Sequence, residues 1–323
     1  PYPQHHQQRQ EIFFGNGLTA NYQARLRYMI ARYAHYDHIL AWEVFNEIDL
    51  TQAADEQLVS WTEAALDFLA EHDPYQRLRT VSWLRERWPE MLALPNLTLL
   101  QVHRYIPHLE HVGPSDSDVI AAMLSDVIHL RHAQRPFIFM EVGHHGHDDS
   151  DVPGNHLDRS GVALLQKSWA GFLLGGAGTG MSWWWDSWLE DNDLWRLYAP
   201  MQRAFSLIQW DDPGLRPMPV DLGSDMRILG WQSSRQALIW PHSRWSSWHN
   251  QLLQPGNNPH LGKRFAVTLQ SMSPGRRYSQ LAIHMRSGAV VAAHTLHADG
   301  HGRLQLKLPP YDGSIVLIIT PQP

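Results

Sequence analysis

Residues 39–47 read Ile-Leu-Ala-Trp-Glu-Val-Phe-Asn-Glu, a nearly continuous apolar run that ends in two polar side chains. Such a run is typical of a parallel strand that is covered on both faces. In a (β/α) barrel, the carboxyl ends of the strands carry the functional groups. Asn46 and Glu47 therefore lie where a rigid strand would present a carboxylate to a cleft, as acid–base chemistry requires.

A second stretch has the same form. Residues 137–141 read Phe-Ile-Phe-Met-Glu, and Val142 and Gly143 follow. Two strands that each deliver a glutamate to one rim predict a paired-carboxylate site. Such a pair suits glycosidic bond cleavage, in which one carboxyl protonates the leaving oxygen and the other attacks carbon or activates water.

Three motifs in order resemble those of clan A retaining glycoside hydrolases, with the cellulase-like, family-five-type enzymes as the nearest relatives. Residues 41–47 look like that family's strand-four motif, whose Asn-Glu pair holds the acid/base. Residues 139–143 are similar to the strand-seven motif, whose glutamate is the nucleophile. Residues 180–186, Gly-Met-Ser-Trp-Trp-Trp-Asp, resemble strand eight, which supplies an aromatic floor to the sugar site. The resemblance covers roughly residues 10–323 and implies an α/β fold, a (β/α)8 TIM barrel followed by an antiparallel β-sandwich.

The resemblance implies a role for each motif residue. Glu47 would protonate the leaving group and later deprotonate water, and Glu141 would form the glycosyl-enzyme. Retention then requires the two carboxyl groups to lie about 5 to 5.5 Å apart. Asn46 would hydrogen-bond the sugar 2-hydroxyl, and no cofactor is needed. From position alone, a strand-end carboxylate in a structural salt bridge would explain Glu47 better than a catalytic role would; the Asn-Glu motif and the resemblance favour the catalytic role. We interpret Glu43 as structural.

Further substrate-binding candidates lie on neighbouring strands. His103 and Tyr105 end the preceding strand, and Tyr105 could donate to Glu141 and keep it ionised. Adjacent strand residues alternate in direction, so Trp183, Trp184 and Trp185 cannot all face one site. We choose Trp185 as the sugar platform and expect Asp186 to bind a sugar hydroxyl. Weaker platform candidates are Trp83 and Trp188.

A histidine- and aspartate-rich stretch after Glu141 raises the question of a metal. Residues 144–151 read His-His-Gly-His-Asp-Asp-Ser-Asp, and these residue types suit zinc or another divalent ion. The spacing is that of a loop and fits no zinc motif. We interpret it as a polar loop beside the cleft and predict no metal site.

Composition limits the other function classes. The chain has 323 residues, 43% hydrophobic and 18% charged, enough for a sizeable core and two domains. A net charge of −6 without a run of Lys or Arg argues against nucleic-acid and membrane partners. The expected partner is an oligo- or polysaccharide. The absence of cysteine leaves the compartment open; secreted or periplasmic localisation is favoured only through the resemblance.

Residues 1–212 contain five predicted strand–helix units, whereas a closed barrel needs eight. By motif order they correspond to units four to eight. We expect a separate N-terminal chain or fragment to supply strands one to three. The first predicted helix begins near Thr19, which would be its N-cap. Four further helices are predicted over residues 55–71, 118–132, 161–174 and 193–208. The remaining strands are predicted over residues 80–83, 97–105 and 179–185.

Short alternating strands separated by Gly-containing turns follow, and they predict a β-sandwich over residues 213–323. If the first three barrel strands are truly absent, the alternative function is a non-catalytic carbohydrate-binding or scaffolding protein built on an incomplete barrel. Binding of oligosaccharide without turnover would distinguish it.

Overall fold

The computed structural model describes residues 13–15, 17–51, 53–84, 88–106, 118–146, 152–221 and 224–322, apart from the side chains of Trp88 and Pro153. The predictions for the first twelve residues and for residues 147–151 lie outside these ranges. Within them, no helix combines the length and apolar character needed to cross a membrane. The chain forms two compact units, one of residues 1–104 and 128–140, the other of residues 105–127 and 141–323.

Strands and helices alternate through the first two thirds of the chain, as predicted. The helices are α1 (Ala20–Tyr33), α2 (Asp55–His72), α3 (Trp88–Ala93), α4 (Val119–Arg131), α5 (Pro153–Leu157), α6 (Val162–Leu173) and α7 (Tyr198–Phe205). The strands are β1 (Ala41–Glu43), β2 (Leu78–Thr80), β3 (Leu100–Ile106), β4 (Phe137–His144) and β5 (Thr179–Ser182).

The start of α1 confirms the predicted cap. The Thr19 hydroxyl accepts the backbone N–H of Tyr22 at 3.3 Å, which satisfies one of the free donors of the first turn. The spacing of Leu26, Met29, Ile30 and Tyr33 predicts one apolar face on this helix. Leu26 and Ile30 are buried, but Tyr33 is 40% exposed, so the buried face is shorter than predicted.

β1 is shorter than predicted and is covered on one face only. It pairs in parallel with β2, with Trp42 opposite Arg79. Trp42 and Val44 are buried, whereas Glu43, on the opposite face of the strand, is exposed; Leu40, just before the strand, is 63% exposed. The prediction of a strand over residues 39–45 buried on both faces is therefore wrong, since β1 covers residues 41–43 only and one of its faces is exposed at Glu43.

α2 is confirmed over nearly its predicted length, and its predicted apolar face is buried. Asp73 follows its last turn and is itself buried. The Asp73 carboxylate accepts the Trp42 indole N–H at 3.0 Å and the backbone N–H of Arg77 at 3.1 Å. One acidic side chain thus joins the end of α2 to β1 and to the start of β2.

β3, β4 and β5 form a second sheet in that order. β4 extends three residues beyond Glu141, so this carboxylate lies within the strand and not at its end. β5 ends at Ser182, three residues earlier than predicted, because Trp184 adopts a left-handed backbone with φ of 66°. Residues Trp185–Leu189 then form a single π-helical turn, followed by the 3₁₀ turn Leu194–Leu197.

The C-terminal part is antiparallel β-structure, as predicted. Its elements are β6 (Arg216–Pro217), β7 (Met226–Gln232), β8 (Ala237–Ser243), α8 (Trp248–Leu253), β9 (Thr268–Leu269), β10 (Arg277–His284), β11 (Val290–His297), β12 (Leu304–Gln305) and β13 (Ile315–Pro321).

The C-terminal strands form two sheets. One sheet has six strands in the order β11-β10-β13-β8-β7-β6, and a second has two, β12 and β9. Buried side chains of both, including Ile239, Leu269, Leu304 and Leu317, belong to one core cluster. A sandwich arrangement and a domain boundary at residue 213 stay predictions.

Candidate functional site

Glu47 follows β1 in a backbone conformation that residues other than glycine rarely adopt. Its φ and ψ are 46° and 55°, and it precedes the 3₁₀ turn Ile48–Leu50. Its backbone N–H donates to the Ser82 hydroxyl at 2.7 Å. Such a conformation costs about 1–3 kcal/mol and occurs preferentially at functional sites. The Glu47 side chain is 15% exposed, so solvent can reach its carboxylate.

Ser82 organises the polar groups around Glu47. Its hydroxyl hydrogen can go either to Glu43 Oε1 at 2.9 Å or to Asn46 Oδ1 at 3.2 Å. Gln101 Nε2 donates to the same Glu43 oxygen at 2.8 Å. Glu43 therefore links β1 to the residues after β2 and to β3, in agreement with its interpretation as structural. Sequence reasoning missed Ser82 and Gln101, although a polar side chain inside an apolar strand was a usable signal.

His103 lies directly behind Glu47. Its Nδ1 is 2.7 Å from Glu47 Oε1, and its side chain has no exposed surface. With the proton on Nδ1, the ring donates to the Glu47 carboxylate; with Nδ1 unprotonated, it accepts from the carboxylic acid. A fully buried ring is poorly placed to bind a sugar directly. We therefore reinterpret His103 as support for Glu47 and not as a substrate contact.

Tyr105 and Glu141 come together on β3 and β4. The Tyr105 hydroxyl donates to Glu141 Oε2, as the sequence predicted. Glu141 is 6% exposed. Gly143 follows on β4, and a Cβ atom there would lie 2.9 Å from Trp183 Cβ and 3.5 Å from Tyr105 Cε1. The absence of a side chain at residue 143 thus lets β5 and the tyrosine ring approach the strand that carries Glu141.

The tryptophan segment, Trp183–Trp185, does not continue the strand as predicted, but two of its rings are exposed. Trp185 belongs to the π-helical turn, so strand alternation does not decide which indole is accessible. Trp183 and Trp185 are 37% and 47% exposed, and Asp186 is exposed as well. Trp83 and Trp188 are 4% and 2% exposed, so neither ring offers the accessible face that stacking on a sugar requires. Trp185, the more exposed of the two accessible tryptophans, remains the candidate for the sugar platform.

The stretch after Glu141 begins with a buried histidine. His144 is 3% exposed, and its ring packs edge-on against Trp188 and Trp248, with centroids 5.7 and 4.7 Å away. Burial, reinforced by the charge of Lys167, holds the pKa of His144 well below its usual value. The first residue of the proposed loop is therefore a neutral core side chain, whereas His145 is exposed.

The candidate residues form two groups. Glu47, Asn46 and His103 lie in the first compact unit; Tyr105, Glu141, Trp185 and Asp186 lie in the second. The structure pairs Glu47 with His103 and Tyr105 with Glu141. The separation of the two carboxylates stays a prediction.

Comparison with known proteins gives a likeness of fold. No family model and no curated protein matches the chain. A glycoside hydrolase family 5 protein from Bacteroides vulgatus is similar with a TM-score of 0.57 at 12% identity, over 92% of this chain and 65% of that one. A family 30 subfamily 8 xylanase, Xyn30A, from Clostridium acetobutylicum gives 0.53 at 11%, over 95% and 73%. The fold is that of a clan A glycoside hydrolase.

The structural likeness covers nearly all of this chain but only part of the proteins it matches. A third structure, described as a glycoside hydrolase, matches with a TM-score of 0.56 at 10% identity, over 92% of this chain and 68% of that one. This chain therefore spans about two thirds of the length of the first structures it matches. The motif resemblance is confirmed at the level of the fold, and residue roles, substrate and reaction are matters of proposal.

Proposed function

We propose that this chain is a retaining β-glycoside hydrolase in which Glu47 is the acid/base and Glu141 the nucleophile. The observation that carries the proposal is that each carboxylate has its own partner suited to that role. Glu47 has an imidazole that can give or take a hydrogen bond. Glu141 has a phenol that can only donate to an ionised carboxylate. His103 can therefore stay hydrogen-bonded to Glu47 in both of its protonation states, whereas the Tyr105 hydroxyl favours the ionised form of Glu141.

The two proposed steps follow from these roles. In the first, a Glu141 oxygen bonds to the anomeric carbon while the glycosidic C–O bond breaks and the Glu47 carboxylic acid gives its proton to the leaving oxygen. In the second, the Glu47 carboxylate takes a proton from water, the water oxygen bonds to the anomeric carbon, and the Glu141 ester bond breaks. Two inversions give net retention.

His103 and Tyr105 serve different steps in this scheme. When Glu47 loses its proton, an Nδ1–H on His103 can stabilise the new carboxylate. The Tyr105 hydroxyl favours the ionised nucleophile before attack and would have to release Glu141 Oε2 or share it as the ester forms. Asn46, Trp185 and Asp186 are proposed to hold the sugar through its 2-hydroxyl, an apolar ring face and a further hydroxyl.

The test is a screen of 4-nitrophenyl β-glycosides with the wild type and with Glu47→Gln and Glu141→Gln. Glu47→Gln should lower kcat/KM at least about 10²-fold, the usual contribution of a positioned proton-transfer group. Glu141→Gln should abolish hydrolysis, because it removes the nucleophile that forms the glycosyl-enzyme. Glu71→Gln, which alters a carboxylate that is 79% exposed, should leave activity unchanged. Proton NMR of the first-formed product should show the anomeric configuration of the substrate. Inversion, or full activity of either variant, contradicts the proposal.

The second function has one observation in its favour. Trp183 and Trp185 offer exposed rings for sugar binding that require no bond cleavage. Titration calorimetry with cellohexaose, xylohexaose and mannohexaose would show this function as binding without release of shorter sugars. That outcome would replace the hydrolase proposal by a non-catalytic carbohydrate-binding protein.

We also propose that an extended segment on a separate N-terminal chain or fragment pairs with the free side of β1. Three features support it: β1 has one neighbouring strand in the described chain, the Glu43 side chain is exposed beside it, and a cleft of about 500 Å³ lies along it. Trp42, Phe45 and Phe13 are among the residues that line the cleft. Native mass spectrometry of active material that shows only a single 37.2 kDa species would refute this partner.

A further inference from the structure

A buried lysine lies beneath the tryptophan segment and has no part in the proposed reaction. Lys167, on α6, has 0% exposure, and its Nζ has no hydrogen-bond partner within the described residues. An ammonium group in the interior is costly unless it is paired, so a lysine is almost never fully buried without a reason. Its surroundings therefore indicate what it does.

Lys167 Nζ lies over an aromatic ring. Nζ lies 5.5 Å from the centre of the Trp188 ring, within the range of a cation–π contact. Trp188 is buried and belongs to the π-helical turn Trp185–Leu189 that carries the platform candidate. The Trp188 indole N–H donates to the backbone oxygen of Asp158 at 2.9 Å. The ring is thus held at one edge by a hydrogen bond and on one face by the lysine.

Asp158 acts on the charge of this lysine directly, and His144 and Arg286 are the titratable or charged groups next to its partners. Asp158, in the turn between α5 and α6, is fully buried and accepts the N–H groups of Val162 and Ala163 at 2.8 and 2.7 Å. His144 packs against the Trp188 ring from β4 and is neutral. Arg286, in the turn after β10, acts on Asp158 and donates to the Ser160 oxygen at 2.6 Å.

The start of the Trp185–Leu189 turn is fixed to β4, the strand that carries Glu141. The Trp184 indole N–H donates to the His144 backbone oxygen at 2.9 Å, three residues after the proposed nucleophile. Trp184 is also the residue with the left-handed backbone that starts the π-helical turn. Trp188 and Trp185 belong to the same turn, and Trp184 fixes the start of that turn to β4. A displacement of Trp188 would therefore also move Trp185.

We propose that Lys167 is a positioning residue for the Trp185–Leu189 turn and that gain or loss of its proton moves the Trp188 indole. The charged form attracts both the ring face and the Asp158 carboxylate; the neutral form attracts neither strongly. Burial lowers the pKa of Lys167 to about 7, with Asp158 acting in the opposite direction, so both forms are populated near neutral pH. The consequence for sugar binding rests on the proposed glycosidase function, whereas the movement of Trp188 does not.

The test observes Trp188 directly. The protein is labelled with 5-fluorotryptophan, and the Trp188 signal among the 15 tryptophans is assigned with Trp188→Phe. The ¹⁹F signal of the wild type should shift between pH 5.5 and 8.5 with a midpoint near 7. A wild-type signal that stays constant over this range overturns the proposal, whether or not any variant folds.

Variants identify the titrating group. Lys167→Met, which has no proton to lose, and Lys167→Arg, which keeps its charge, should both abolish the shift of the Trp188 signal. His144→Asn should leave it in place, since the pKa of His144 lies well below the range tested. A shift that survives in Lys167→Met, or disappears in His144→Asn alone, overturns the assignment to Lys167.

A kinetic arm separates this inference from the proposed function. KM for the best 4-nitrophenyl glycoside should change with pH around 7 in the wild type and stay flat in Lys167→Met, with kcat much less affected. If Trp188 titrates but no glycoside is hydrolysed, the positioning role stands and the hydrolase proposal fails. If hydrolysis is observed and Trp188 does not titrate, the positioning role fails alone.

Discussion

His103 Nδ1 lies 2.7 Å from Glu47 Oε1, and the imidazole has no exposed surface. A hydrogen bond between a shielded ring and a partly exposed carboxylate joins a fixed support to the group that we propose as the acid/base. Glu47 is also fixed through its backbone, which donates to Ser82 at 2.7 Å. Both contacts restrict the carboxylate before any substrate arrives, and pre-organisation of this kind lowers the cost of reaching the reactive geometry.

The first prediction concerns this pair. His103→Asn should lower kcat/KM for 4-nitrophenyl glycosides by about tenfold or more, equivalent to about 1.4 kcal/mol of transition-state stabilisation. The loss should be smaller for 2,4-dinitrophenyl glycosides, because that leaving group needs no proton. His129→Asn, on α4, is the control. Equal losses on both substrates would mean that His103 acts on general folding and not on proton transfer.

The second prediction concerns Lys167 and stability. Its pKa falls from 10.5 to about 7 on folding, so between these values the unfolded chain binds more protons than the folded one. The free energy of unfolding should therefore rise as pH increases from 7 towards 10, by at most about 1.4 kcal/mol per pH unit. Below pH 7 this group contributes a constant penalty.

Urea denaturation of the wild type and Lys167→Met, measured in parallel from pH 6 to 9, checks this. The variant should be the more stable at pH 6, and the difference should narrow above pH 7, since other titrating groups cancel in the comparison. A difference that is constant across this range would contradict a buried lysine that changes charge on folding.

The third prediction concerns Gly143. Gly143→Ala would place a methyl group 2.9 Å from Trp183 Cβ, and β4 and β5 would have to separate. We expect a loss of about 1–3 kcal/mol in the free energy of unfolding, the usual cost of overpacking. Gly256→Ala is the matched control, because no atom lies within 4 Å of the added group there. Thermal unfolding of both variants distinguishes a steric effect from loss of backbone freedom.

The fourth prediction concerns a buried ion pair. Arg227, on β7, lies 2.7 Å from the Asp118 carboxylate, with side chains that are 4% and 9% exposed. Arg227→Met alone should cost about 3–5 kcal/mol of unfolding free energy, because it leaves an uncompensated buried charge. The double variant Arg227→Met with Asp118→Leu should recover most of that loss. The Asp118 carboxylate also accepts the backbone N–H of Ala121 at 3.1 Å in the first turn of α4. Recovery by less than a third, measured by urea denaturation, would show that the aspartate acts chiefly through this cap.

Local signals in the sequence predicted much of the secondary structure. The Thr19 cap located the start of α1, and the spacing of apolar residues before Asp73 located α2 nearly to the residue. Turn residues between alternating segments located the C-terminal strands. The ends of β4 and β5 were less predictable, since β5 stops where Trp184 adopts a left-handed backbone and β4 continues past Glu141. Those limits depend on which neighbouring strand offers hydrogen bonds, and that partner is distant in sequence.

The sequence by itself determined the order of elements and the motifs that hold Glu47 and Glu141, because both arise from contacts between residues close along the chain. Only the tertiary structure decided that His103 lies behind Glu47, that Ser82 holds its backbone and that Lys167 is buried under Trp188. Each of these pairs is separated by at least twenty residues, and whether two such groups meet depends on how strands and helices pack. Periodicity in one segment carries no information on that packing.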